Sequence, residues 1–150
     1  MTNYAKSYLP AAVAGASPVG LVVLLYERLI LDLARALAAM EKGDIETRVN
    51  EINHAFLILG QLEGSLESAH APEAARTQAL FYNVARSKIL EAHLKSDRRL
   101  MEQQISLFNE VRAAWEQVDP ARPGKAAPSP VPKRAADQDA EEVSFLNASA

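Results

Sequence analysis

Two Glu-x-x-His pairs, Glu51 with His54 and Glu67 with His70, are the residues of this 150-residue chain whose types and spacing come nearest to metal chemistry. A di-iron site in a helical bundle takes one such pair from each of two helices and a further Glu from each of the other two. Here both pairs fall on one expected helix, sixteen residues apart, or about 24 Å along its axis at 1.5 Å per residue. They cannot share a centre, so they read as solvated surface residues and no metal is expected. His93, near the end of another expected helix, suits that helix's negative pole. Gly60 and Gly64 form a Gly-x-x-x-Gly, which permits close approach of a second backbone and nothing more. The serines show no nucleophile elbow, no Gly-rich loop is present to cradle a phosphate, and no carboxylate pair sits in an apolar setting. No catalytic residue and no cofactor is expected, and the chain reads as a non-enzyme.

The elements that carry these residues are helices. The composition, 49% hydrophobic and 23% charged, suits one globular domain. A net charge of -3 offers no basic field for nucleic acid or an anionic membrane. The chain has no cysteine, which excludes disulfide and thiol chemistry and is compatible with a reducing cytosol. Leu9 to Tyr26 is uncharged, but the small-residue pattern Ala12-Val13-Ala14 precedes the apolar run, whereas a secretory cleavage site follows it. Pro10, Gly15, Pro18 and Gly20 also interrupt the stretch. It reads as neither a signal nor a membrane span, and the protein as soluble and cytoplasmic.

Three segments are expected: an N-terminal arm over 1–16, a helical domain over 17–119 and a Pro-rich tail over 120–150. Five of the eight prolines lie between Pro120 and Pro132, and the tail's composition predicts disorder. Its one apolar cluster is Val143, Phe145 and Leu146, a candidate internal ligand for the domain's apolar surface. Ser17 is a good N-cap and Pro18 a good first residue for helix 1, which reaches about Lys42. Arg28, Asp32 and Arg35 fall at i, i+4 and i+7, predicting one narrow wet stripe. Gly43 suits the C′ position, and Asp44 caps helix 2, which runs to about Ser68. Helix 2's inner column reads Ile45, Val49, Ile52, Phe56, Leu59. Helix 3 begins at Pro72 and ends near Ser96, with an inner column of Tyr82, Ala85, Ile89 and Ala92. Asp97 caps helix 4, whose broad apolar face includes Met101, Ile105, Phe108 and Trp115, and which ends near Val118. Links this short force antiparallel neighbours. The fold class is all-α, an up-down four-helix bundle with room for a short extra helix.

More apolar surface is present than the columns use. From Val19 to Tyr26 helix 1 is apolar all round. Leu57 and Ile58 face away from helix 2's column, and Phe81, Val84, Leu90 and Leu94 flank that of helix 3. Such a surplus suits a groove that accepts a partner's amphipathic helix. The competing reading is a general helical adaptor that pairs with a second copy.

Several local patterns make the chain resemble the flagellar secretion chaperones that bind flagellin. Tyr4-Ala5 lies upstream of Ala16-Ser17-Pro18, and Leu21, Leu25 and Tyr26 follow. Gly43-Asp44 marks the first turn, and Ser65-Leu66-Glu67 ends helix 2. Phe81-Tyr82, then Glu91-Ala92-His93-Leu94-Lys95-Ser96-Asp97, and finally Val111-Arg112 with Trp115 complete a match from about Tyr4 to Trp115. Departures are Glu27-Arg28 where the family usually has Asp-Gly, Ala71-Pro72 in place of Gly-Gly, Thr77-Gln78 in place of Asn-Leu, and the longer tail. The resemblance implies a bundle, monomeric or weakly dimeric, that binds the disordered C-terminal segment of flagellin and prevents premature polymerisation. It implies that Tyr4 docks on the export gate's membrane protein and that the arm lies over part of the cargo surface. Val13, Leu21, Val22, Leu25, Leu57, Ile58, Phe81 and Tyr82 are the expected cargo contacts.

Overall fold

The computed structural model describes residues 17–67 and 72–118, with side chains placed over 17–65 and 76–118. Among the described residues the chain forms α1 (Pro18–Lys42), α2 (Ile45–Glu67), α3 (Pro72–Lys95) and α4 (Arg98–Gln117), and no strand. They make an antiparallel up-down bundle. α1 packs most extensively, against α2 on one side and α4 on the other, and α3 closes the ring more loosely between α2 and α4.

Local chemistry sets the helix ends. The Ser17 hydroxyl accepts from the Gly20 N–H at 3.0 Å, the N-cap bond that its type and place predict, with Pro18 next in the chain. The two tight turns at the other end of the bundle are built alike. Gly43 is left-handed (φ 70°), and the Asp44 N–H reaches back to the Ala39 carbonyl. Ser96 is left-handed too (φ 51°), and the Asp97 N–H reaches the Ala92 carbonyl. In both, the residue that follows caps the next helix: Asp44 accepts from the Thr47 N–H and Asp97 from the Leu100 N–H. A serine in this conformation costs about 1–2 kcal/mol relative to glycine. Its hydroxyl accepts from the Arg48 guanidinium at 3.0 Å, which fastens the turn to the start of α2.

The core groups four aromatics together, with Trp115 farther along α4 and mainly aliphatic residues elsewhere. Tyr26 of α1, Phe81 and Tyr82 of α3 and Phe108 of α4 are all buried. Phe81 meets Phe108 edge-on at 6.1 Å, and the Tyr26 and Tyr82 hydroxyls bond to each other at 2.6 Å across the bundle. Burial pushes both phenols well above their ordinary range, so both stay neutral. Leu29, Leu33, Ile52, Leu59, Leu62, Ile89, Met101 and Val111 fill the remainder.

Two sequence expectations fail here. Arg28 and Asp32 do not form a wet stripe: both are buried, with Asp32 at 0% exposure, on the side of α1 that packs against α2. The inner column of α2 is also turned. Ile52 and Leu59 reach the core, but Ile45 is 64% exposed, Val49 is exposed and Phe56 is half-buried. The core face of α2 is instead Ile52, Ala55, Ile58, Leu59 and Leu62.

Candidate functional site

The seam between α1 and α2 collects the charged residues. The Arg28 guanidinium pairs with Asp32 Oδ1 at 3.1 Å, and His54 Nδ1 meets Asp32 Oδ2 at 2.5 Å. Glu51, one turn before His54, is buried beside them. Burial, and then the neighbouring Asp32 carboxylate, push the Glu51 carboxyl above its usual range against the pull of Arg35 and Arg28. Glu51 and His54 are therefore not solvated surface residues, as their spacing suggested. They are the α2 half of an ionic lock whose α1 half is Arg28 and Asp32. Glu67 has no described side chain, and His70 lies outside the described residues. Among the described residues no group of three or more His, Asp or Glu is placed to hold a metal ion.

His93 also departs from expectation. Burial, and then the Arg48 guanidinium, push its pKa below the ordinary imidazole value. It is therefore neutral near neutral pH and supplies no cation to the α3 terminus.

The seam between α2 and α3 is the opposite kind of surface. These two helices touch over fewer residues than any other adjoining pair in the ring. Ile45 and Val49 lie one turn apart on α2, and Leu90 and Leu94 one turn apart on α3. The Arg48–Ser96 bond ties the two pairs to the same end of the bundle. Leu94 is 72% exposed and Leu90 44%. Half-buried Phe56 continues the α2 row towards the core, and the Glu63–Arg86 ion pair closes the seam farther along. The result is an exposed apolar patch along this end of the seam, which we term the trough, with the Glu63–Arg86 pair as its charged crossbar. Each large side chain that becomes fully covered there contributes about 1.5–3 kcal/mol, less whatever it already buries. Pairs at i, i+4 on both walls suit one amphipathic helix laid along the seam. Leu31 on α1 and Leu57 on α2, the latter 66% exposed, are the other large apolar side chains open to water among the described residues.

The expected cargo contacts divide accordingly. Leu57 is open. Leu21 and Leu25 are half-buried near the start of α1. Val22, Ile58, Phe81 and Tyr82 are core residues and offer no free surface in this state. Ser17 and Pro18 cap α1 as expected. Tyr4, Val13 and the tail cluster lie outside the described residues. Sequence reading counted Leu90 and Leu94 in the apolar surplus that suits a partner groove but left them out of the expected cargo contacts, and it placed Ile45 and Val49 inside. Their signal was present in the register: a column that serves two neighbours is broader than one helix face.

Among the described residues no helix is long and apolar enough to cross a membrane. Residues 1–122 match the family described as flagellar protein FliS. The flagellar secretion chaperone FliS of Salmonella typhimurium is 27% identical over 118 residues, covering 78% of this chain and 87% of the relative. That of Vibrio cholerae is 26% identical over 117 residues, covering 78% and 86%. The flagellar secretion chaperone FliSB of Pseudomonas aeruginosa is 29% identical over 116 residues, covering 77% and 92%.

Proposed function

The chain belongs to the flagellar protein FliS family, whose relatives are flagellar secretion chaperones, and from that premise we propose that it binds the C-terminal segment of flagellin in the cytoplasm. The α2/α3 trough is the proposed seat. The observation that carries this reading is the exposure of Ile45, Val49, Leu90 and Leu94 on a bundle whose core is otherwise closed. An amphipathic segment that would pair with its own kind during filament growth finds a substitute apolar surface there. Leu57 and half-buried Leu21 and Leu25 lengthen the contact where a long segment wraps past α1 and α2. Val22, Ile58, Phe81 and Tyr82 act from beneath, holding the helices that frame the trough. In this reading Tyr4 and Val13 belong to an arm that serves the export gate and the cargo surface. Release needs no nucleotide and occurs by transfer at the gate's membrane protein.

The test is calorimetric titration with a flagellin C-terminal peptide. Micromolar or tighter binding, a gain of helicity and a negative heat-capacity change are expected. An absence of binding by a monomer overturns the proposal. A tight dimer with Leu90 and Leu94 at its interface supports the adaptor reading instead.

A further inference from the structure

Residues beyond 122 fall outside the family match, so the shared domain does not account for them. They contain one apolar cluster, Val143, Phe145 and Leu146, directly after the acidic run Asp137, Asp139, Glu141 and Glu142. We propose that this cluster is an internal ligand that occupies the α2/α3 trough until cargo displaces it. The inference rests on the trough being the cargo seat, and it adds a regulator built into the same chain.

Tether length supports this occupant over a second copy. About 25 residues separate Val118, just past the end of α4, from Val143. A Pro-rich stretch of that length reaches up to about 75 Å at about 3.1 Å per residue. The trough lies near the opposite end of the bundle, beside the start of α4, because Ser96 and Asp97 join α3 to it. The 20-residue α4 makes that separation about 30 Å at 1.5 Å per residue. A tether long enough to bridge the gap holds its ligand at an effective concentration on the order of 1 mM. A second copy at micromolar concentration competes poorly with that. The three apolar residues fit a trough with two apolar side chains on each wall. The acidic run would lie beside Arg48, which donates to Ser96, and Lys95, which follows Leu94 and pairs with Glu91. A segment with an intrinsic Kd of about 0.1 mM, held at about 1 mM, fills the trough some ten times as often as it leaves it empty. Cargo affinity is then about tenfold weaker than the bare trough allows.

The absence of cysteine makes the test direct. Ser144→Cys in the full chain carries a spin label, and methyl signals report its position. Broadening of Ile45, Val49, Leu90 and Leu94, but not of Leu31 and Leu57, is expected, as is its loss on Leu94→Asp. Equal broadening of both sets, or none, overturns the proposal. Independently, Phe145→Asp with Leu146→Asp in the full chain should raise affinity for the flagellin peptide about tenfold, and unchanged affinity overturns it. The two readings fail separately. Selective broadening in a chain that binds no flagellin peptide removes the cargo and keeps the internal ligand. Peptide binding of equal strength with and without the cluster removes the internal ligand and keeps the cargo.

Discussion

The two seams of α2 invert what amphipathic patterning leads one to expect. On the α1 side, Arg28, Asp32 and Glu51 are buried, Arg28 paired with Asp32 and Glu51 set against the same carboxylate. On the α3 side, Ile45, Val49, Leu90 and Leu94 face water. A helix that only packed into a core would show the reverse. Buried ion pairs contribute little net stability, because desolvation consumes most of their Coulomb gain. They are nevertheless selective about geometry. Asp32 holds His54 towards α1, and on the same helix as His54 the apolar residues Ile45 and Val49 lie outside the core. A single rotation of α2 thus closes one seam and leaves the other open.

The largest way to break this comparison is to place a charge where the sequence suggested open surface and the structure shows core. Ile58→Asp should cost about 4 kcal/mol or more, most of the margin of a domain at the low end of the ordinary range of about 5–15 kcal/mol. Denaturant melts followed by circular dichroism measure it. A folded variant with weakened cargo binding would return Ile58 to the exposed set. Asp32→Ala follows. It leaves Arg28 buried without its partner and should cost about 3–5 kcal/mol. Asp32→Leu, which fills the volume but also strands the cation, distinguishes lost packing from lost charge. A loss under 1 kcal/mol for both would mean that the α1/α2 seam is wetter than its burial indicates.

The helix caps were legible because their chemistry is local. Ser17, Gly43, Asp44 and Asp97 each act within four residues, and each does in the structure what its type predicts. Ser96 escaped notice because a left-handed serine has no sequence signature; it is tolerated where Arg48 meets its hydroxyl. The rotation of α2 was not legible either. Spacings of three and four mark an apolar face about 100° wide, but not which neighbour takes which edge of it. That shows only in contacts with another helix, such as the His54–Asp32 bond. Tyr82 of the expected inner column is buried, and Phe81, about 100° round the helix, is buried beside it because the Tyr26 hydroxyl and the Phe108 ring meet the two from α1 and α4.

The open seam gives a smaller and more discriminating effect. Leu94→Asp should change folding stability by no more than about 0.5 kcal/mol, as exposed positions do. It should also lower affinity for a flagellin C-terminal peptide at least about tenfold, near 1.4 kcal/mol. Leu57→Asp, equally exposed but outside the trough, should lower affinity less. Equal losses from the two would show that cargo wraps both surfaces with no preferred seat.

The smallest expected effect concerns protons in the closed seam. Glu51's carboxyl titrates above its ordinary range because burial and Asp32 oppose its charge. The folded chain then holds this proton more tightly than the unfolded chain. Stability therefore falls as pH rises from the ordinary glutamate value through the raised one, and ionised Glu51 is a cost at neutral pH. Glu51→Gln removes that cost. It should gain about 1 kcal/mol or less at pH 7 and remove Glu51's fall in stability with rising pH. His93 acts in the opposite sense. Its folded pKa lies below the ordinary value of about 6.5, so its contribution is present above that value and is lost as pH falls. The double variant with His93→Gln should therefore be flatter still. A loss of stability for Glu51→Gln at pH 7 would mean that Arg28 and Arg35 outweigh Asp32, so that Glu51 serves the lock as an anion.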